Sequence, residues 1–417
     1  MNTYNKFLDK FIETGAVAGI VNYAFILVNI LVVTKMWQRA GMPYNGVFTA
    51  VVLSSLLATA AAGVKYRLGV AVAPGIAVNS FLCYDLIICH GFTWQEAMCV
   101  PLVAGLLILF VVYTGAYHRL IRSLPGYLLQ VIPGVIGVLL IYRGLIMGNL
   151  VIGTPVQITG MGSINDPIAI IAGVSTLVAL ILWCRNGEYG ILSGLLTAVF
   201  FALVSGYMVL PEAWFSLPMG LMDTVLQVST DRFAELIGAV LVVFLVLISE
   251  GMALAQVVDR DNEAGVIMSN GFASFLGGVI AGGAMSVSEA SAACRFDSRY
   301  TYKPVWITVI LLLVTLFCAP LLLEMADYGF ISVSAVICAG CCLLQNLKFS
   351  SFNDNISILA GVFTLLLVPL WGSLTAGIGC GLLVYCILML TSGRGSELSL
   401  ELLPIVGLFV VYMIYGF

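Results

Sequence analysis

Charge is what this sequence has least of: Asp, Glu, Lys and Arg make up 9% of its 417 residues. A soluble domain carries about 25%, because its surface must be wetted. Histidine is also scarce, with only His90 and His118, both in predicted loops, so a His-rich metal centre is not expected. No Gly-x-x-x-x-Gly-Lys-Ser/Thr loop occurs and no polar stretch is long enough for a nucleotide domain, which excludes an ATP-driven pump. The net charge of −4, from 17 Lys+Arg against 21 Asp+Glu, offers no basic face to nucleic acid. Intramembrane hydrolysis needs a Ser–Lys, paired-Asp or His-metal constellation, and the apolar runs show none. The reading is therefore of a non-enzyme, with no catalytic residues, metal or organic cofactor.

What is present is apolar. Hydrophobic residues make up 61% of the chain, and the mean hydropathy is +1.10. The N-terminal MNTYNKFLDKFIETG lacks a small-residue cleavage site, so the first run, 15–34, reads as a retained span. Further runs recur up to 374–391, giving fourteen predicted spans, and 400–416 adds an extra terminal apolar segment. Ten of the eleven cysteines lie in or beside these runs and read as small apolar fillers, the Cys338, Cys341, Cys342 cluster included.

Loop charge orients the spans. With the N-terminus inside, the inner loops carry Lys65, Arg67, Arg119, Arg122, Arg185, Arg260 and Arg394. The outer loops near 89–94, 146–166, 210–231 and 324–329 hold no Lys or Arg; Lys35 and Arg39 alone run against the trend. A multi-pass protein of a bacterial cytoplasmic membrane, N-terminus cytoplasmic, is the expectation.

Two segments make poor helices. GVAVAPGIAVNSF (69–81) holds Pro74 and Gly75, and AGGAMSVSEASAA (281–293) is rich in Gly, Ser and Ala. Such backbone survives in a bilayer where it lines a protein cavity. They fall in the third and tenth spans, which match if the chain is two seven-span repeats. Seven is odd, so the second repeat is inverted, and paired broken spans point to a midplane transport site.

Two acids lie deep in apolar sequence: Glu250 in LVVFLVLISEGMALA and Glu289 in the tenth segment. An acid at a helix centre costs roughly 2.5–3.5 kcal/mol on insertion scales and normally has a task. No cation is expected in mid-span beside them, so an anionic substrate of the kind carried by SulP-type proteins fits badly. An ionised carboxylate accepts from adjacent N–H donors, and nucleobases offer such edges. Burial raises a carboxyl pKa, so either acid suits proton coupling, with Na⁺ as the other candidate ion. Ser249, Ser288 and the other serines nearby are candidate supporting groups.

With these residues in hand the chain resembles the AzgA-like purine permeases, a branch of the nucleobase:cation symporter group. The resemblance rests on Ala73-Pro74-Gly75-Ile76-Ala77-Val78-Asn79, then Gly91-Phe92-Thr93-Trp94-Gln95, the stretch Leu124 to Gly144, Glu289 to Ala293, and Leu365 to Tyr385. It implies an all-α membrane fold of fourteen spans as two inverted repeats, with short strands in spans three and ten. The first repeat would be 1–215, with core spans in 15–118 and gate spans in 119–211. The second would be 216–417, with core spans in 233–327, gate spans in 329–392 and the extra segment 400–416. The implied activity is import of a purine base by an elevator-like shift of core against gate. Glu250 and Glu289 would contact base and proton, with backbone at Ile76, Ala77, Val287 and Ser288 completing the hydrogen bonds. A homodimer is implied by the same likeness. Three departures separate the chain from the branch: Ser249-Glu250-Gly251 replaces its Asp-rich eighth span, Ile26-Leu27-Val28 its first-span motif, and Ala284 to Ser288 a Thr-rich lead. Xanthine, uracil and urate therefore stand as alternative substrates.

Overall fold

Gly41, in the left-handed region at φ +93°, and Pro43 break the chain between its first two helices, α1 (Ala16–Arg39) and α2 (Tyr44–Val64). Strand β1 (Val72–Pro74) follows, and Gly75 in extended conformation turns it into α3 (Ile76–Cys89). From Phe81 to Cys89 this helix is π-wound, a rare form that relaxes the ladder near functional sites. A capping box opens α4 (Trp94–Tyr113): Glu96 N–H donates to the Thr93 hydroxyl, and Thr93 N–H donates to the Glu96 carboxylate. Then come α5 (Gly126–Met147), the hairpin β2 (Val151–Gly153) and β3 (Ile158–Met161), α6 (Pro167–Arg185) and α7 (Gly190–Val204). The second half holds α8 (Phe233–Val258), α9 (Glu263–Ile280), β4 (Met285–Val287), α10 (Lys303–Thr315), α11 (Ala319–Asp327), α12 (Val333–Gln345), α13 (Asn355–Trp371) and α14 (Leu374–Thr391).

This computed structural model describes residues 16–117, 125–153, 158–163, 165–185, 190–209, 213–258, 262–288, 303–345, 347, 354–371 and 374–399, with 402–403, 406–407 and 410. Glu289, Arg119, Arg122, Arg260, Cys294 and most of 400–416 lie outside the described residues. Among those described, six helices are long and apolar enough to cross a membrane, or seven if the bent pair α10–α11 is one span. Several apolar helices of 10–17 residues accompany them. Chain breaks shorten the third span and bend the eleventh: α10 and α11 meet at 92°, where one straight span was expected over 304–323.

The helices pack in two sets. α4 lies against α8 and α9, and α2 against α9 and α10; separately, α5 packs on α12 and α13, α6 on α7, and α13 on α14. Glycine permits the closest crossings. A Cβ on Gly105 of α4 would stand 2.5 Å from the Gly271 carbonyl oxygen of α9, and one on Gly137 of α5 would stand 2.6 Å from the Gly340 carbonyl oxygen of α12. Outward, Leu177, Ile181, Phe200, Val204, Leu366 and Leu370 are exposed on α6, α7 and α13. Such a surface is stable facing lipid and a liability facing water.

Packed against α1, α2, α8 and α9, β1 and β4 pair antiparallel with Val72 opposite Val287, Ala73 opposite Ser286 and Pro74 opposite Met285. Each strand is three residues long, so most of its backbone groups need partners from elsewhere. Two hydroxyls supply them in the same manner. Thr59 of α2 accepts from Val72 N–H at 3.0 Å and donates to the Val72 carbonyl at 3.3 Å. Ser274 of α9 accepts from Met285 N–H at 3.0 Å and donates to the Met285 carbonyl at 2.6 Å.

At the far end of the second helix set, Arg394 joins Asp354 at 2.6 Å and Glu397 at 2.6 Å. This ties the start of α13 to the turn after α14. Burial alone would raise the Asp354 carboxyl, but hydrogen bonds from Ser357 and Arg394 outweigh it and hold the pKa below its ordinary value. The Arg394 guanidinium likewise lowers Glu397.

Thr59→Val and Ser274→Ala should each destabilise the folded protein by about 1–3 kcal/mol, since each orphans one buried N–H and one carbonyl. Matched losses of thermal stability in detergent are the expected result. For Asp354, a lowered folded-state pKa means its stabilisation is present above the unfolded pKa and lost as pH falls through the folded one. The melting temperature of Asp354→Asn should thus lie below wild type at pH 7 and converge with it at pH below about 4.

Candidate functional site

The strand pair ends where a helix begins. Asn79, one turn into α3, is fully buried and locks this junction: its side-chain N–H groups donate to the Gly75 carbonyl at 2.8 Å and the Ala284 carbonyl at 2.7 Å. Its side-chain oxygen accepts from Ala284 N–H at 3.0 Å and from the Trp37 indole at 3.1 Å. Gly283, at φ +82°, passes this amide so closely that a Cβ there would overlap the Asn79 and Trp37 side chains. On the other strand, the Asn270 side-chain oxygen accepts from Val287 N–H at 2.8 Å, and its amide donates to the Leu247 carbonyl at 3.0 Å. Gly75 N–H reaches the Ala284 carbonyl and Ser288 N–H the Ala71 carbonyl.

These bonds decide which backbone groups remain for a ligand. The first N–H groups of a helix have no acceptor within it, so those of Ile76 and Ala77 at the start of α3 carry partial positive charge. Val287 and Ser288 differ. Their N–H groups are committed to Asn270 and Ala71.

A small cavity lies at the start of α3, lined by Phe25 and Asn29 of α1, Gly75 to Val78, Ile136 and Leu140 of α5, and Glu250 of α8. Thus Glu250, Ile76 and Ala77, singled out from sequence, come together. Glu250 is 3% exposed. Ser249 is buried beside it, but its hydroxyl donates to the Val246 carbonyl at 2.9 Å and it does not line the cavity. Glu289 lies just past the last described residue of this segment. Two other acids stand near span ends: Glu235 pairs with Arg232 at 2.7 Å, and Asp85 approaches His90 at 3.9 Å.

The open volume of this cavity is about 10 Å³. That is close to the least a single water requires, so no base fits there in this arrangement. One to two turns further along α1 a second, wider cavity of about 410 Å³ is lined by Leu31, Lys35, Arg39, Tyr84, Asn149 and Asp327, among others. Lys35 and Asp327 close part of its wall through an ion pair at 2.5 Å.

Sequence reasoning missed three features. Phe25 and Asn29 line the cavity, and the signal for Asn29 was an amide within the apolar run AFILVNILVV. Arg143, near the end of α5, is a cation within a span: part of its guanidinium is buried, with Tyr84 and Cys83 as electrostatic neighbours.

No protein-family model matches the sequence. Among characterised or named proteins, the chain is 22% identical to the putative permease MJ0326 of Methanocaldococcus jannaschii, over 98% of this chain and 99% of that protein. It is 22% identical to the guanine/hypoxanthine permease PbuO of Bacillus subtilis, over 96% of each. With the adenine permease AdeP of Escherichia coli it shares 21% identity, over 97% of this chain and 93% of that one. In fold it is similar to SLC26A9, with a TM-score of 0.59 at 11% identity, covering 92% of this chain and 66% of that one. The transmembrane domain of the cyanobacterial bicarbonate transporter BicA gives 0.54 at 13% identity, covering 89% and 96%. At such identities the structural likeness speaks for the fold alone. The sequence relatives are named as permeases, not enzymes, and this chain is their divergent homologue along nearly its whole length, built on a membrane-transporter fold.

Proposed function

We propose that the protein is a secondary active transporter that imports a purine-type nucleobase, coupled to protons, through alternating access of the elevator kind. The observation that carries this reading is the small cavity in which buried Glu250 meets the start of α3. A carboxylate there takes the N–H edge of a base, while the first N–H groups of α3 take a carbonyl or ring nitrogen. The relatives named for guanine, hypoxanthine and adenine support a base as the substrate. An anion carrier is not favoured: its support is a fold likeness at 11–13% identity, and the group lining the cavity is an acid.

The proposed layout is fourteen spans in two inverted repeats, 1–215 and 216–417, with Thr59 and Ser274 serving β1 and β4 in equivalent ways. The helices α1–α4 and α8–α11 form the core in this scheme, and α5–α7 with α12–α14 the gate. Ile136 and Leu140 come from the gate side and the remaining cavity residues from the core side. A base fits once these two faces separate, so opening is a movement of one helix set against the other. With the N-terminus cytoplasmic, as loop charge suggests, the 410 Å³ cavity lies on the outer path to the site. Glu289 is proposed as the second acid, placed by sequence beside Ser288.

Uncoupled roles are separable by mutation. Glu250→Gln should abolish purine binding in a thermal-shift panel while leaving membrane insertion intact; unchanged binding removes Glu250 from the site. Glu289→Gln should flatten the pH dependence of uptake, and a wild-type pH profile in that variant places proton entry elsewhere.

A further inference from the structure

Of the four buried asparagines in the described spans, Asn22, Asn29, Asn79 and Asn270, Asn29 alone lines the cavity with Glu250. Asn79 and Asn270 are fully engaged with strand backbone and the neighbouring helix. Asn29 is not. It is 4% exposed, it lines the small cavity with Glu250, and none of the hydrogen bonds among the described residues engages its amide. An amide that faces a cavity with its donors and acceptor unengaged is open to a ligand, which supplies the hydrogen bonds the fold leaves unmade. Phe25, one turn earlier on the same face of α1, lines the same cavity and adds an aromatic wall beside it.

Glu250 and Asn29 are chemically complementary. An ionised carboxylate accepts only, so Glu250 reads N–H groups. An amide brings two donors and one acceptor, and reads what the carboxylate repels. On a purine the acceptors cluster at the imidazole side, where N7 lies beside the 6-substituent, an edge that asparagine and glutamine amides recognise. A pyrimidine has no such second ring edge. Accepting the transport reading above, we propose that Asn29 is a specificity-determining residue that binds the N7 side of a purine while Glu250 holds the N–H edge. Purine over pyrimidine selectivity then resides in α1, in the stretch where this chain departs from its relatives' first-span motif.

The test compares hypoxanthine with 7-deazahypoxanthine, in which C–H replaces the N7 acceptor, by equilibrium binding to the purified full chain. Wild type should prefer hypoxanthine by about 10–100-fold, the range of one to two buried hydrogen bonds. Asn29→Ala should weaken hypoxanthine by that factor and leave the 7-deaza analogue unchanged, which also shows that the variant is folded. Asn29→Asp keeps the size, removes both donors and should erase the preference in the same way. A variant of either kind that keeps the full preference overturns the assignment while leaving purine transport standing. Wild-type protein that binds neither compound nor any other purine overturns the transport reading and this assignment together.

Discussion

A backbone N–H or carbonyl buried away from water must find a partner, and within a bilayer that partner must be protein. Everything at the centre of this molecule follows from how two interrupted spans meet that demand. Pro74 and the Gly-Ser-rich run before Ser288 prevent continuous helix, so β1 and β4 pair with each other over three residues. The pairing satisfies part of the need. Thr59, Ser274, Asn79 and Asn270 satisfy much of the rest, each reaching from a helix to strand backbone. These polar residues lie in apolar spans because the strands could not persist there without them.

The same framework creates the chemistry. Ending a strand in mid-protein lets α3 begin in mid-protein, and a helix start presents unsatisfied N–H groups and positive potential. Glu250 is placed beside that start by α8. Asymmetry enters on the second strand, where Asn270 takes the Val287 N–H and Ala71 the Ser288 N–H. The strand backbone of the second half is therefore engaged at N–H groups whose counterparts at the start of α3 the strands leave alone. Apolar residues of α5 close over this arrangement, and the small volume that remains explains why movement between helix sets belongs to the proposed cycle.

Much of this was legible in the residues. Membrane residence follows from 9% charge and 61% hydrophobic composition, since no fold could hide so much apolar surface from water alone. Pro74-Gly75 and Ala281 to Ser288 were readable as helix breakers, and Glu250 as an acid with a task, because each violates the local rule for its surroundings. Asn29 was as visible in principle, being an amide among aliphatics, but amides in spans serve packing as often as ligands. Arg143 was concealed by its place near a helix end, where arginine ordinarily reaches the interface.

What the sequence determined by itself is the solvent, the broken spans and the acid at Glu250, all of which are local properties of composition and pattern. Tertiary structure alone decided which partners those features meet. Spacing along the chain cannot tell that Thr59 serves Val72 and Ser274 serves Met285, or that Val287 N–H is already engaged. Nor can it tell that Asn29 and Glu250 share one cavity, for they are separated by more than half the chain and meet through the packing of α1, α3, α5 and α8. Hydrogen bonds and cavities are matters of distance in space, and in a helical membrane protein that distance is set by how helices cross.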